Sequence, residues 1–375
     1  MRILLIGEYS NVHATLARGL KSHGHEVTVL SNGDFWKDYP RDIDLVRRQG
    51  HLGGLQYCAR LLTLLPRMKG FDVVQLINPL FLELKASHIT PFYKYLRNHN
   101  RRVILGGFGM DWYWVHTCST EMPLRYSDFN IGKKLRTNTD AERERTDWLG
   151  TDKEKLNKLI ANDCDGIVAG LYEYWVCYHP VFPDKTTFIP YPIELPPETE
   201  IRPRKSGEKV RLFIGINKAR NEYKGTDIML AAAKRMLEKY PNRLELKIAE
   251  SVPFAQYSEM MESSDAILDQ LYSYTPSMNP LLAMSKGIIC IGGGEPENYD
   301  ILGESELRPI LNVEPNMESV CHAIEQLVLH PERIDTLKRE SIEYIRRHHE
   351  YRKVAQRYLD FYDNVSRKNK KGTTM

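Results

Sequence analysis

Short apolar runs alternate with longer amphipathic stretches along the chain. Arg2 to Ile6 is the first apolar run, followed by the loop Gly7-Glu8-Tyr9-Ser10-Asn11-Val12-His13, a helical period from Ala14 to His23 closed by Gly24, and a second run from Glu26 to Leu30. Runs of this length bounded by turn residues read as buried strands, and parallel strands need a crossover between them. Further strands are expected at 71–77, 102–105 and 165–169, with helices at 86–98, 153–162 and 171–178. Residues 118–160 are polar and charged and read as an insertion or mobile loop leading into the 153–162 helix. After a Pro-rich connector the alternation resumes. Strands are expected at 210–216, 244–249, 266–270, 288–291 and 309–312, with helices at 226–239, 255–263, 277–286 and 316–329. Long helices at 331–349 and 351–366 precede a Lys-rich tail.

This pattern predicts an α/β chain of two Rossmann-like, doubly wound domains facing across a cleft. The expected division is an N-terminal domain over 1–195, a Pro-rich hinge over 196–207 and a C-terminal domain over 208–345. Residues 346–375 then form a helix and disordered tail packing back on the N-terminal domain. A length of 375 residues suits two such domains. The six Cys are scattered without a Cys-x-x-Cys pair, which argues against structural zinc or a disulfide framework and for a reducing cytosol. No apolar run approaches the ~20 residues of a membrane-spanning helix. Net charge is only +3, but residues 1–136 carry 19 Lys and Arg against 11 Asp and Glu. A basic front half suits an anionic surface or a phosphate-bearing substrate, or serves solubility alone. No nucleic-acid-binding motif accompanies it.

Candidate chemistry gathers where strands end. The run from Val210 to Ile216 breaks into a loop carrying Lys218, Arg220 and Lys224, then Gly225 and a helix that Thr226 or Asp227 can cap. A cationic loop between a strand and a helix N-terminus is suited to phosphate. The helix start at Ser277, Met278 and Asn279 and the loop Gly292-Gly293-Gly294-Glu295-Pro296-Glu297 lie on the same side of the second domain, with Glu295 and Glu297 able to hold hydroxyls. In the first domain, Gly106 to Thr117 combines glycines, aromatics, Asp111 and His116; Gly109 lets backbone approach a ligand, and Asp111 and His116 supply an acid and a base. Gly7, Asn11 and His13 mark the first strand-end loop, where Ser10 and Asn11 read as helix caps and His13 as either cleft-facing or a surface residue. The Gly-x-Gly-x-x-Gly fingerprint is absent there, so NAD or FAD is not expected. Residues 52–69 form an apolar helix with Arg60, Arg67 and Lys69. It reads either as packed on the sheet with a basic rim or as a peripheral membrane contact.

Five stretches, in order, carry a resemblance. Arg-Ile-Leu-Leu-Ile-Gly with Gly-His-Glu-Val at 24–27, Phe-Ile-Pro-Tyr-Pro-Ile at 188–193, the Arg220…Lys224-Gly225 loop, Leu-Leu-Ala-Met-Ser-Lys-Gly at 281–287 and Gly-Gly-Gly-Glu-Pro-Glu at 292–297 resemble GT-B glycosyltransferases, nearest the retaining glycosyltransferase family four. The resemblance implies transfer of a sugar from a nucleotide-sugar donor to a saccharide or lipid-linked acceptor, with retention and no metal or other cofactor. It maps donor-diphosphate binding to Arg220 and Lys224. The expected location, from the Cys pattern and the 52–69 helix, is cytoplasmic or peripheral at the inner membrane face. Two places depart from the family pattern. Phe108 stands where a His usually precedes Gly-x-Asp, and Tyr274 and Leu282 fall at the positions of the usual Glu-x7-Glu pair. The alternatives are a nucleotide-sugar epimerase of similar architecture and a non-catalytic binding protein.

Overall fold

The computed structural model describes residues 1–197, 201–205, 207–217, 220–250, 252 and 254–365, without the side chains of Trp36, His51, Phe254 and Ala255. Lys218 of the cationic loop, parts of the 196–207 connector and the Lys-rich tail therefore lie outside the described residues. The first half runs β1 (Arg2–Ile6), α1 (Val12–Ser22), β2 (Glu26–Ser31), β3 (Ile43–Asp44), α2 (His51–Leu64), β4 (Val73–Leu76), α3 (Ala86–His99), β5 (Arg102–Gly107), α4 (Trp112–Thr120), β6 (Asn130–Ile131), β7 (Lys134–Leu135), α5 (Thr139–Trp148), α6 (Asp152–Asp163), β8 (Gly166–Ala169), α7 (Tyr172–Tyr178) and β9 (Thr186–Phe188). The second runs β10 (Val210–Ile216), α8 (Asn221–Lys224), α9 (Thr226–Lys239), β11 (Leu244–Glu250), α10 (Phe254–Glu262), β12 (Ala266–Leu268), α11 (Met278–Ser285), β13 (Ile289–Gly292), α12 (Pro296–Leu302), β14 (Leu311–Asn312), α13 (Met317–Leu329), α14 (Ile334–His348) and α15 (Tyr351–Asn364).

Two compact units result. The first comprises 1–117, 145–192 and the chain from Tyr351; the second comprises 118–144 and 193–350. The chain thus changes unit after 117, 144, 192 and 350, so the expected hinge at 196–207 falls inside the second unit. Residues 118–144, expected with the N-terminal domain, also belong to the second unit.

The first unit holds a seven-stranded sheet in the order β3-β2-β1-β4-β5-β8-β9, every pair parallel. Ile3, Leu4, Leu5 and Ile6 have no exposed surface, as a parallel strand covered on both faces requires. Gly24 (φ +80) terminates α1 as the sequence indicates. Helix α15 lies against α1, where Gly19 permits close approach: a Cβ there would stand 2.5 Å from the Tyr351 carbonyl oxygen. Val354, Ala355, Tyr358, Leu359 and Tyr362 are its buried side chains.

The second unit holds a five-stranded parallel sheet in the order β11-β10-β12-β13-β14. Its core joins Leu212, Ile214, Leu268 and Ile291 of the strands to Met229 and Ala233 of α9 and Ile324 and Leu327 of α13. Residues 118–144, expected as part of a mobile loop, instead form an ordered strap. Its antiparallel β6–β7 hairpin follows buried Leu124 and Tyr126, with Phe129 and Asn130 fully buried.

Candidate active site

In the second unit, successive strands leave β10 in opposite directions: β11 lies on one side and β12 on the other. A crevice beyond the strand ends forms at such a reversal. Arg220 and α8 follow β10. Arg220 is exposed, its guanidinium 4.9 Å from the Tyr223 ring centre. Lys224 is half-buried and faces Asp269, which directly follows β12; burial pushes the Asp269 carboxyl up to about 6, and the Lys224 charge opposes that rise. Gly225 joins α8 to α9 at φ +71, where a Cβ would stand 2.6 Å from the Leu271 Cβ, so the turn requires glycine. Gly225, not Thr226 or Asp227, is the N-cap of α9. The Thr226 hydroxyl instead donates to the Asn221 side-chain carbonyl at 2.5 Å.

The loops after β12 and β13 complete this edge. Ser277 caps α11 in extended conformation without a side-chain bond to the helix, and Met278 is buried. Asn279 Nδ2 donates to the Tyr257 hydroxyl at 3.0 Å. A Cβ at Gly293 would stand 2.2 Å from the Ser273 carbonyl oxygen, so this glycine serves contact between the two loops.

The strap fastens both flanks of the edge. Arg125 spans Glu295, at 2.7 Å, and Glu297, at 2.5 Å, while the Tyr126 hydroxyl donates to the other Glu295 oxygen. The Arg125 backbone N–H donates to the Tyr274 hydroxyl at 2.7 Å, and its guanidinium lies 4.8 Å from that ring. Further along the strap, Arg136 donates to the backbone carbonyls of Tyr223 (3.1 Å) and Glu222 (2.7 Å) in α8, with its guanidinium 3.4 Å from the centre of the Tyr272 ring. The Tyr223 hydroxyl donates to Asp128 at 2.8 Å.

The corresponding reversal in the first unit lies between β1 and β4. Gly7 turns the chain at φ +86. The Glu8 carboxylate then accepts from the backbone N–H groups of Ala14 (2.8 Å) and His13 (3.3 Å) at the start of α1. Burial pushes the Glu8 carboxyl up to about 8 despite those bonds. Asn11 is the N-cap residue, at φ 72, but makes no side-chain cap. His13 is fully buried. Its Nδ1 lies 2.8 Å from the Gly7 carbonyl oxygen, Gln75 Nε2 is 3.1 Å from its Nε2, and the Tyr362 hydroxyl donates to Gln75 Oε1 at 2.6 Å. Burial lowers its pKa to about 4, so the ring is neutral, with Nδ1 donating to Gly7 and Nε2 accepting from Gln75. Gly109 lies beneath Tyr9, whose ring would meet a Cβ there at 3.0 Å. Asp111 has no exposed surface; one oxygen accepts from the Trp114 N–H at 2.9 Å and the other from the Tyr178 hydroxyl at 2.7 Å. His116 stacks on Trp112, ring centres 4.4 Å apart.

No family model matches the chain, and no curated protein sequence does. Solved structures do. Sucrose-phosphate synthase from Thermosynechococcus elongatus aligns at a TM-score of 0.61 and 11% identity, covering 97% of this chain and 99% of that one. Anabaena HepE in complex with UDP and glucose gives 0.60 at 10% identity, covering 97% and 100%. UDP-GlcNAc 2-epimerase from Neisseria meningitidis bound to UDP-GlcNAc gives 0.54 at 12%, covering 96% and 99%. This chain has a GT-B-type fold.

Within the GT-B scaffold, several sequence expectations need correction. Asp111, expected to supply an acid beside His116, is an internal cap of α4 with both oxygens engaged. His13 belongs to the core and does not face a cleft. Ser10 and Asn11 leave the capping of α1 to Glu8. Glu295 and Glu297 are held by Arg125 and Tyr126, so they are not idle carboxylates awaiting a sugar. Arg220, Lys224, Ser277 and the glycine-rich loop do share one sheet edge of the second unit. Sequence reasoning missed Glu8, Arg125, Arg136 and Asp269. Asp269 alone carried a local signal, as an acid directly after a strand at the order reversal.

Proposed function

We propose that the chain is a glycosyltransferase that moves a hexose from a nucleotide-sugar donor to an acceptor hydroxyl of a saccharide or lipid-linked glycan, retaining configuration and needing no metal. The observation that carries this is the cationic turn after β10, Arg220 and Lys224, placed at the strand reversal of a GT-B C-terminal domain. Support for the donor class comes from HepE, solved with UDP and glucose and with UDP-glucose. The bond from the sugar to the diphosphate breaks while a bond to the acceptor oxygen forms, and the acceptor's proton passes to the leaving diphosphate. Negative charge grows on the leaving diphosphate. Arg220 and Lys224 stabilise it, assisted by the N-terminus of α11 at 277–279. The Lys224 charge favours the ionised form of buried Asp269, against the desolvation that raises its pKa to about 6.

The outer face of α2 supports a peripheral membrane role at the cytoplasmic side. Leu52, Leu55 and Leu62 are 75%, 70% and 59% exposed, beside Arg60, Arg67 and Lys69. Leu52→Ser with Leu55→Ser should abolish cosedimentation with anionic vesicles; unchanged cosedimentation refutes the contact.

The deciding experiment is a thermal-shift screen against UDP-, GDP-, ADP- and TDP-sugars, followed by product analysis with and without acceptor extract. One donor should raise the unfolding temperature and yield product only with acceptor. Conversion of donor alone into an altered sugar would favour epimerisation, the second reading, which the Neisseria epimerase's coverage of 96% of the chain keeps in play.

A further inference from the structure

At the opposite ends of the second unit's strands lies a cavity of about 440 Å³. Its wall carries six cations, Arg202, Arg204, Lys209, Arg211, Lys286 and Lys338. Arg211 is the second residue of β10 and Ile288, also on the wall, immediately precedes β13, so this is the amino-terminal edge of the sheet. The carboxylates on the wall number three: Glu208, Glu245 and Glu262.

Behind the wall, Asp265 is fully buried and accepts from three of these cations: Arg204 at 2.8 Å, Arg211 at 3.0 Å and Lys338 at 2.7 Å. One carboxylate cannot balance three cations, and Arg204 and Lys338 are themselves nearly buried. Glu262 pairs with Lys286, and Glu208 pairs with Arg202 at 3.3 Å. Lys209 has a backbone carbonyl, that of Pro241, at 2.8 Å. Asp335, off the wall, takes the Arg204 backbone N–H at 3.1 Å. Among the described residues, the six cations are set against four carboxylates, Asp265, Glu208, Glu245 and Glu262, and a concave surface with this surplus of positive charge favours a multivalent anion such as a phosphate.

We propose that this basal cavity binds a compact phosphorylated anion, at a site separate from the donor edge. The test uses the full chain carrying Arg220→Ala and Lys224→Ala, so that the donor edge does not contribute. Inorganic pyrophosphate is titrated by calorimetry at constant ionic strength set with chloride. A saturable binding event is expected, weakened at least tenfold by adding Arg202→Glu and Lys209→Glu. These exposed positions touch neither Asp265 nor the donor edge; each gives up only the surface contact named above, and a retained cooperative unfolding transition without ligand shows that the variant is folded. A second variant, Lys286→Gln, should weaken binding more modestly. Absence of saturable binding, or binding unchanged by Arg202→Glu and Lys209→Glu, overturns the proposal. Since the donor edge is disabled throughout, neither result bears on the glycosyltransferase reading.

Discussion

Glu8 takes the position at the start of α1 where nucleotide-binding turns place a phosphate. Its folded pKa, about 8, lies above the ordinary 4.5. For an acid shifted upward, the folded state binds more protons than the unfolded one between those values, so stability falls as pH rises from 4.5 towards 8. Replacing Glu8 with Gln should flatten that decline and add about 1–3 kcal/mol relative to wild type at pH 8, read from urea unfolding across pH 5–9; parallel curves for the two proteins would contradict the assignment. At the donor edge, Arg220→Ala and Lys224→Ala should each cost ~2–4 kcal/mol in kcat/KM. Wild-type turnover by both variants would remove the phosphate assignment. Single residues were unevenly legible. Arg220 and Lys224 stand out because strand, cations and glycine are contiguous. Asp111 and His13 misled because their partners are distant in sequence: Tyr178 for one, and Gln75 with Tyr362 behind it for the other. An acid or imidazole in a glycine-rich loop looks alike from sequence whether it faces solvent or the interior.

The elements themselves were largely readable. Periodicity places α9 at its observed bounds and α3 within one residue, because an amphipathic stripe and a terminating Pro (Pro241) or Asn (Asn100) are local properties. The 118–144 strap was not readable. Its charged composition resembles a solvated loop, and what orders it are partners such as Glu295 and Tyr272 in other elements. Removing one partner of such a clasp should be felt. Arg125→Ala leaves Glu295 nearly buried without its cation, but the arginine is 55% exposed, which reduces the loss to about 1–2 kcal/mol. Double-mutant cycles with Glu297→Gln, followed by chemical denaturation, would measure the coupling; a coupling near zero would show that the clasp does not hold the strap. Arg136→Lys should raise the donor KM with little change in kcat, since a point charge cannot reproduce a fork onto two α8 carbonyls. If KM is unchanged, α8 does not depend on that anchor.

At the scale of the whole molecule, neither unit is a continuous segment, and this governs how the chain can be divided. Five side chains of α15 are buried in the first unit. At roughly 1.5–3 kcal/mol for each large one, their loss approaches the entire stability of an ordinary domain. A chain ending at residue 350 should therefore lose hydrogen-exchange protection in β1 and β4 while keeping it in β10 and β12. Protection retained in β1 and β4 would show that α15 is dispensable. The two-domain α/β plan was visible in the alternation of elements, whereas the interleaving was not, since no local pattern reports which sheet a segment will join. The placement of α15 also sets an order of events during synthesis. Every residue of the second unit is added to the chain before residue 351, yet the first unit, begun earliest, waits for α15. The N-terminal sheet is thus begun first and covered last, and until α15 arrives the face of α1 that it packs against stays open to solvent.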